Sequence, residues 1–213
     1  MIVEEHVQSY INSLNKEEDS FILQLEKEAH EHHVPIIRSE TRELLRFLVR
    51  MKKPARILEI GSAIGYSAIV MHKCQGQDGK LDTIERNEKR YNSACANIEK
   101  AGFSESIQIH FGDALDVLEQ LKESYDFIFM DAAKAQYENF LERCMGRLDR
   151  EGILVCDNIL QDGSVAQSRY AVTRRDHTVH DRMREFLYNL KRNETLDTVI
   201  LPVGDGVAIS RKK

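Results

Sequence analysis

Apolar positions along this chain follow two periods. Over residues 2–53 they recur at helical spacing: Val3, Val7, Tyr10, Ile11 and Leu14, then Phe21, Ile22, Leu25 and Ala29, then Leu44, Leu45, Phe47 and Leu48. That spacing predicts three helices, with Pro35 breaking the chain before the third and Ser39 as the third helix's N-cap. Beyond them, short apolar runs alternate with helical stretches. Ile57, Leu58 and Ile60 read as a strand, as do Lys80–Ile84, Ile107–Phe111, Tyr125–Met130 and Gly152–Cys156. Helices are expected over Tyr66–Cys74, over Glu88–Lys100, and through Met183, Phe186, Leu187 and Leu190. Thr198–Leu201 and Val207–Ser210, around Gly204-Asp205-Gly206, close the chain as an antiparallel pair. Strands alternating with helices predict an α/β fold, a doubly wound, seven-stranded, mostly parallel sheet with an antiparallel C-terminal strand. No composition shift marks a boundary, so residues 1–213 read as one domain: a helical cover over 1–53 and the sheet domain over 54–213.

The stretch RILEIGSAIGYS, Arg56–Ser67, organises the rest. Gly61 and Gly65 allow a tight turn from strand to helix and let a ligand approach the backbone. In open α/β sheets ligands bind beyond the carboxyl ends of the strands. The spacing is G-x-x-x-G, lacking the third glycine of a dinucleotide turn, and Glu59 precedes it. A carboxylate there repels a pyrophosphate and favours a cationic ligand or one rich in N–H and O–H donors. S-adenosylmethionine, with its ammonium and sulfonium and no phosphate, fits; a nicotinamide dinucleotide does not. Glu85, at the tip of the second strand, is placed to accept from both hydroxyls of a ribose. Asp113 can cap the helix that begins at Ala114, accept from an adenine amino group, or do both.

Acids also end the two later strands. Tyr125–Met130 runs into Asp131, with Lys134 three residues on, and Gly152–Cys156 runs into Asp157-Asn158. Asp131, Asp157 and Asn158 offer only oxygen donors, a set suited to Mg²⁺ or Mn²⁺ and not to zinc. Strand ends commonly carry Asp and Asn as turn formers, but three at one rim beside a lysine favour a cation site. His30, His32 and His33 read as a solvated helix end.

Charge sharpens this picture in one place. The chain carries net charge −5 with 31% charged residues, yet residues 159–192 are +3. Such a run is either a solvated helix face or a local surface for a phosphate backbone, with Arg174 and Arg175 as candidate RNA contacts. The four cysteines form no C-x-x-C pair, no apolar run approaches membrane-spanning length, and the N-terminus is unlike a signal peptide. The expected setting is cytoplasmic, with reduced thiols and no membrane partner. The apolar stripes of the N-terminal helices predict a homodimer.

These motifs together resemble the metal-dependent O-methyltransferases of the catechol and caffeoyl-CoA type. The similarity is carried by Glu59–Ser67, Glu85, Asp131-Ala132-Ala133-Lys134 with Tyr137, Asp157-Asn158, and Val203-Gly204-Asp205-Gly206, and runs from about residue 30 to the end. Glu31–Ile36 and Ile84–Arg90 bring it nearest to bacterial members that act on 5-hydroxyuridine in tRNA. The resemblance implies a Rossmann-like fold. It implies that Glu59, Gly61 and Ser67 hold the methionine part of S-adenosylmethionine, that Glu85 takes the ribose, and that Asp113 and Ala114 border the adenine. It implies a backbone contact to the cofactor at Ile37, and Mg²⁺ or Mn²⁺ on Asp131, Asp157 and Asn158, with Asp131 also near the cofactor. Lys134 matches the family's general base, and the partner implied is a tRNA anticodon loop. Ser39-Glu40-Thr41 stands where plant and animal members carry glycine or lysine-glycine, which points away from a simple catechol. A small catechol-like phenol remains the alternative acceptor, and a cofactor-binding protein without catalysis the more distant one.

Overall fold

The computed structural model describes residues 3–16 and 18–213. Ile2 and Glu17, which the helical pattern includes, lie outside the described residues, as does Met1. Three helices come first: α1 (Glu5–Ser13), α2 (Ser20–Glu31) and α3 (Ser39–Lys52). Strands and helices then alternate: β1 (Arg56–Ile60), α4 (Tyr66–His72), β2 (Lys80–Glu85), α5 (Glu88–Lys100), β3 (Ile107–Phe111) and α6 (Ala114–Gln120). The second half contains β4 (Tyr125–Met130), α7 (Tyr137–Met145), β5 (Leu148–Cys156), α8 (His177–Arg192), β6 (Leu196–Leu201) and β7 (Val207–Lys212). The sheet order is β3-β2-β1-β4-β5-β7-β6, and β7 runs antiparallel to both its neighbours. The seven-stranded sheet, its antiparallel last strand and the leading helices match the expectation. Strand order reverses between β1 and β4, which opens a crevice at their carboxyl ends.

Alternation along each strand sends side chains to two faces, so both faces need a cover. Ile57, Phe127 and Phe129 pack with α2, α3, α4 and α5 through Ile22, Leu25, Leu45, Val49, Ile69 and Ile98. Leu58, Ile60, Ile128 and Met130 pack with α6, α7 and α8 through Leu118, Phe140, Leu141, Met183, Phe186 and Leu190. The leading helices α2 and α3 therefore share a core with the sheet. Their outer side is tied by ions. Arg42, with its side chain 8% exposed, bonds to Glu26, lies 3.3 Å from Glu18 and donates to Tyr66 Oη at 3.3 Å. Tyr66, the first residue of α4, also donates to Glu26. This buried cluster fastens α2 and α3 to the helix that follows the glycine turn.

Several local expectations are corrected. Arg38, in extended conformation, is the N-cap of α3 and Ser39 is its first helical residue. The Arg38 guanidinium instead reaches Gly204 O at 3.4 Å and Asp162 at 3.1 Å. β5 begins at Leu148, four residues before the apolar run, because the charged Asp149–Glu151 stretch sits at a register irregularity opposite Tyr125 and Phe127. α4 ends at His72, with Cys74 in the turn beyond. Helix α1 buries none of its residues, and Tyr10 and Leu14 are about two-thirds exposed. It is attached through Gln8 and Asn12, which donate to Glu40. Phe47 also faces outward on α3. His30, His32 and His33 are exposed, as expected of a helix end. Among the described residues no helix is long and apolar enough to cross a membrane.

Removing one partner of a buried ion cluster leaves the others charged and uncompensated. Arg42→Ala is expected to lower unfolding stability by about 3 kcal/mol in urea titration. A loss below about 1 kcal/mol would place the cluster with weak surface pairs.

Candidate functional site

The crevice at the ends of β1 and β4 is a cleft of about 490 Å³. Gly61 forms its base. Its φ of +103° is left-handed, and a Cβ there would lie 2.0 Å from the Asp131 carbonyl oxygen. Only glycine fits between the two strand ends. The Gly61 and Ser62 N–H groups both donate to Ile84 O, at 3.1 and 3.0 Å, and Asp131 N–H donates to Ile60 O at 3.0 Å. The glycine turn is thus locked between its neighbours β2 and β4.

The cleft wall includes Gly61, Glu85, Asp113, Ala114, Asp131 and Asn158. Glu85 is aimed by two backbone donors, Ala63 N–H at 2.9 Å and Asn87 N–H at 2.7 Å. Asp113 caps α6, accepting from Leu115 N–H at 3.0 Å, while also lining the cleft, so both roles open to it are compatible. The Ile37 side chain is buried in the core, and its neighbours Ile36 and Arg38 line the cleft, which leaves only the Ile37 backbone to face a ligand there.

Glu59 and Ser67 are buried behind this wall. Glu59 is wholly buried, and Thr83 Oγ1 donates to its Oε2 at 2.5 Å. Its other oxygen, Oε1, has no hydrogen-bond partner in the protein. Burial pushes the Glu59 carboxyl up to about 7, against the hydrogen bonds from Ser67 and Thr83, which favour its charged form. A buried carboxylate oxygen without a donor is costly unless a ligand supplies one.

A second such oxygen lies two strands over, at the end of β5. Met130 pairs with Cys156 in the parallel β4–β5 register, so the next residues, Asp131 and Asp157, emerge side by side. Asp157 N–H donates to Met130 O at 3.0 Å. Asp157 Oδ1 accepts from Asn158 N–H at 2.8 Å and from Thr41 Oγ1 at 3.5 Å, while Oδ2 has no partner. Burial, then the neighbouring Asp131 charge, pushes Asp157 up to about 7. Burial pushes Asp131 up to about 6, and the Lys134 charge opposes this. Asn158 has a left-handed φ of +55°, a conformation asparagine tolerates. Two crowded carboxyls, one unpartnered oxygen and an amide fit a hard divalent cation by donor type.

Lys134 opens on a neighbouring groove of about 480 Å³, lined with Asp205, Gln161, Thr173 and Asp176. Asp131 and Asn158 thus line the cleft, Lys134 and Asp205 line the groove, and Asp157 is buried and lines neither. Sequence reasoning placed two further residues in motifs but gave them no role at the site. Tyr137 Oη donates to Asp157 O at 2.7 Å, lies 3.3 Å from Met130 O, and packs edge-on against Phe186. Asp205, 5% exposed, lies 3.5 Å from Lys134 Nζ. The Gly204-Asp205-Gly206 turn was legible, but not its reach to Lys134.

The basic segment divides. Arg169 pairs with Asp181 at 3.2 Å, Arg182 donates to Ala135 O and Arg184 to Val165 O, and Arg192 stacks on Tyr188. These cations serve the local fold. Arg174 and Arg175 are exposed between groove residues Thr173 and Asp176, and neither makes a hydrogen bond or ion pair among the described residues.

Residues 12–213 match the family model described as O-methyltransferase. The chain is 32% identical over 218 residues to the catechol O-methyltransferase of Niastella koreensis, covering 97% of this chain and 96% of that one. A solved Staphylococcus aureus structure is similar with TM-score 0.92 and 32% identity, covering 98% of this chain and 100% of that one. An O-methyltransferase from Bacillus cereus, solved in complex with SAH, is similar with TM-score 0.87 and 25% identity, covering 98% and 97%.

Raised carboxyl values have a definite sign. The folded chain holds protons at Glu59, Asp131 and Asp157 that the unfolded chain, with values of 4.5 and 3.8, releases. Their contribution to stability is therefore greatest below pH about 4 and is lost as pH rises toward 7. In thermal melts of the ligand-free chain, Asp157→Asn is expected to flatten this fall and to melt above wild type at pH 8. An unchanged slope would contradict the assignment.

Proposed function

The chain belongs to the SAM-dependent O-methyltransferases of the caffeoyl-CoA and catechol type, and from that premise we propose that it methylates one of two adjacent oxygens, in the 5-hydroxyuridine of a tRNA anticodon loop. The observation that carries the chemistry is the unpartnered Asp157 oxygen beside Asp131, which itself lines the cleft. On this reading the cleft takes S-adenosylmethionine. Glu59 Oε1 accepts from the ligand ammonium, with Thr83 and Ser67 steadying the carboxylate from behind. Glu85 receives the ribose hydroxyls, and Asp113 and Ala114 border the adenine.

Asp131, Asp157 and Asn158 would hold Mg²⁺ or Mn²⁺. Such a cation, when bound, supplies Lewis acidity that lowers the pKa of a hydroxyl it touches. Lys134 stands on the groove side, where its amine, having first released its own proton to solvent, would take the proton of the acceptor hydroxyl as the O–C bond forms and the sulfonium C–S bond breaks. Fixing cofactor in the cleft and acceptor in the groove orients the two reactants, an effect worth on the order of 7–11 kcal/mol in well-aligned cases.

5-Hydroxyuridine fits because its C5 hydroxyl and C4 carbonyl are neighbours, as the two oxygens of a catechol are. A wobble base is unpaired and enters a pocket at modest cost. Arg174 and Arg175, free beside the groove, suit the loop phosphates. The similarity to the Niastella koreensis catechol O-methyltransferase favours a second reading, a small catechol-like phenol as acceptor.

Nucleoside mass analysis of tRNA from cells lacking the protein separates these readings. Loss of 5-methoxyuridine with accumulation of 5-hydroxyuridine is expected; an unchanged profile moves the assignment to the small phenol. In the same framework, replacing Arg174 and Arg175 with Ala is expected to weaken tRNA binding and lower the slope of log affinity against log salt by about 1.4. An unchanged slope would exclude these arginines from phosphate contact.

A further inference from the structure

Lys134 sits on a single 3-10 turn, Lys134–Gln136, just after β4, and its long stem alone does not fix its ammonium. Two acids compete for it. Asp131, three residues earlier, feels its charge, and Asp205 lies 3.5 Å from Nζ. Asp205 is held by the segment after β5. Its carbonyl accepts from Leu160 N–H at 2.9 Å, and the next carbonyl, of Gly206, accepts from Ile159 N–H at 3.1 Å. Gly206 has φ +86°, and a Cβ there would meet Leu160 at 2.3 Å, so the turn presses directly on the segment after β5. The Asp205 carboxylate then divides its two oxygens: Oδ1 accepts from Asp162 N–H, and Oδ2 faces Lys134. Arg38 joins the same knot from α3, through Gly204 O and Asp162.

We propose that Asp205 is the positioning residue of Lys134: through a turn anchored to the segment after β5, it holds the ammonium in the groove and away from the Asp131–Asp157 pair. A free ammonium would otherwise lean on those two acids and occupy the place of a cation. The inference extends the reading that puts Lys134 at the reacting oxygen, but its geometric half stands apart from that reading. Asp205 touches neither reactant on this account; it acts through Lys134.

The test labels lysines of the full chain with limiting acetic anhydride and quantifies each by peptide mass analysis. Asp205→Asn keeps an acceptor for Asp162 N–H and removes the charge; Asp205→Ser does the same in a smaller side chain and serves if the first variant folds poorly. Labelling of Lys134 is expected to rise about fivefold, the scale of a partly exposed ion pair, while exposed Lys89 and Lys122 stay unchanged. Turnover is expected to fall about 10- to 100-fold with SAH affinity unchanged. Unchanged labelling of Lys134, or an equal rise at all three lysines, would overturn the proposal. Faster Lys134 labelling with unchanged turnover would uphold the positioning and remove Lys134 from the chemistry.

Discussion

Parallel pairing of β4 and β5 places two carboxyl groups side by side at the end of the sheet, and neither is comfortable there as an anion. Met130 opposite Cys156 forces Asp131 and Asp157 together, and burial denies them water. Much of the surrounding structure reads as a frame for that pair. Tyr137 bridges the strand ends from below through Asp157 O and Met130 O. Gly61 lets β1 close against Asp131 with no side chain between. Thr41 brings a hydroxyl from α3 to one Asp157 oxygen and leaves the other open. A pair held so firmly in an unfavourable state is arranged for something positive to arrive.

The same logic separates the two sides of the site. Toward β1 and β2 lies a cleft backed by a second frustrated carboxylate, Glu59, and edged by Glu85 with two backbone donors. Toward β7 lies a groove in which the positive charge of Lys134 answers Asp205. The leading helices are more than a lid. Arg42, Glu26 and Tyr66 fasten them to the helix that starts at the glycine turn, and Arg38 fastens them to the groove. The part of the cleft wall formed by Ile36 and Arg38 therefore joins the packed core on one side and the groove on the other.

Much of this was legible because it is local. A buried strand shows as an apolar run, and an acid at its tip shows as the residue that ends the run: Glu85, Asp131 and Asp157 were found that way, as was the Asp113 cap. What escaped depends on contacts between distant residues. Nothing around residue 205 signals that its carboxylate meets Lys134. Ser39 has the chemistry of a cap, yet Arg38 takes the position with no side-chain cap bond, its guanidinium reaching Gly204 and Asp162 instead. The start of β5 was hidden by the charges of Asp149–Glu151, which its irregular pairing keeps at the surface. α1 carries an apolar stripe and yet leaves it exposed, since its attachment to Glu40 is polar. Spacing alone also gave the basic segment two readings, which side-chain partners divide: most of its arginines serve the fold, and Arg174 with Arg175 remain available.

The most direct test of the account is Mn²⁺ binding to the purified chain, followed by the loss of the free-ion paramagnetic signal at pH 6 and pH 8. The account predicts one saturable site, tighter at pH 8 because the acid pair has given up its protons, and weakened about tenfold or more by Asp157→Asn. Absence of saturable binding, or binding indifferent to Asp157→Asn, would contradict it.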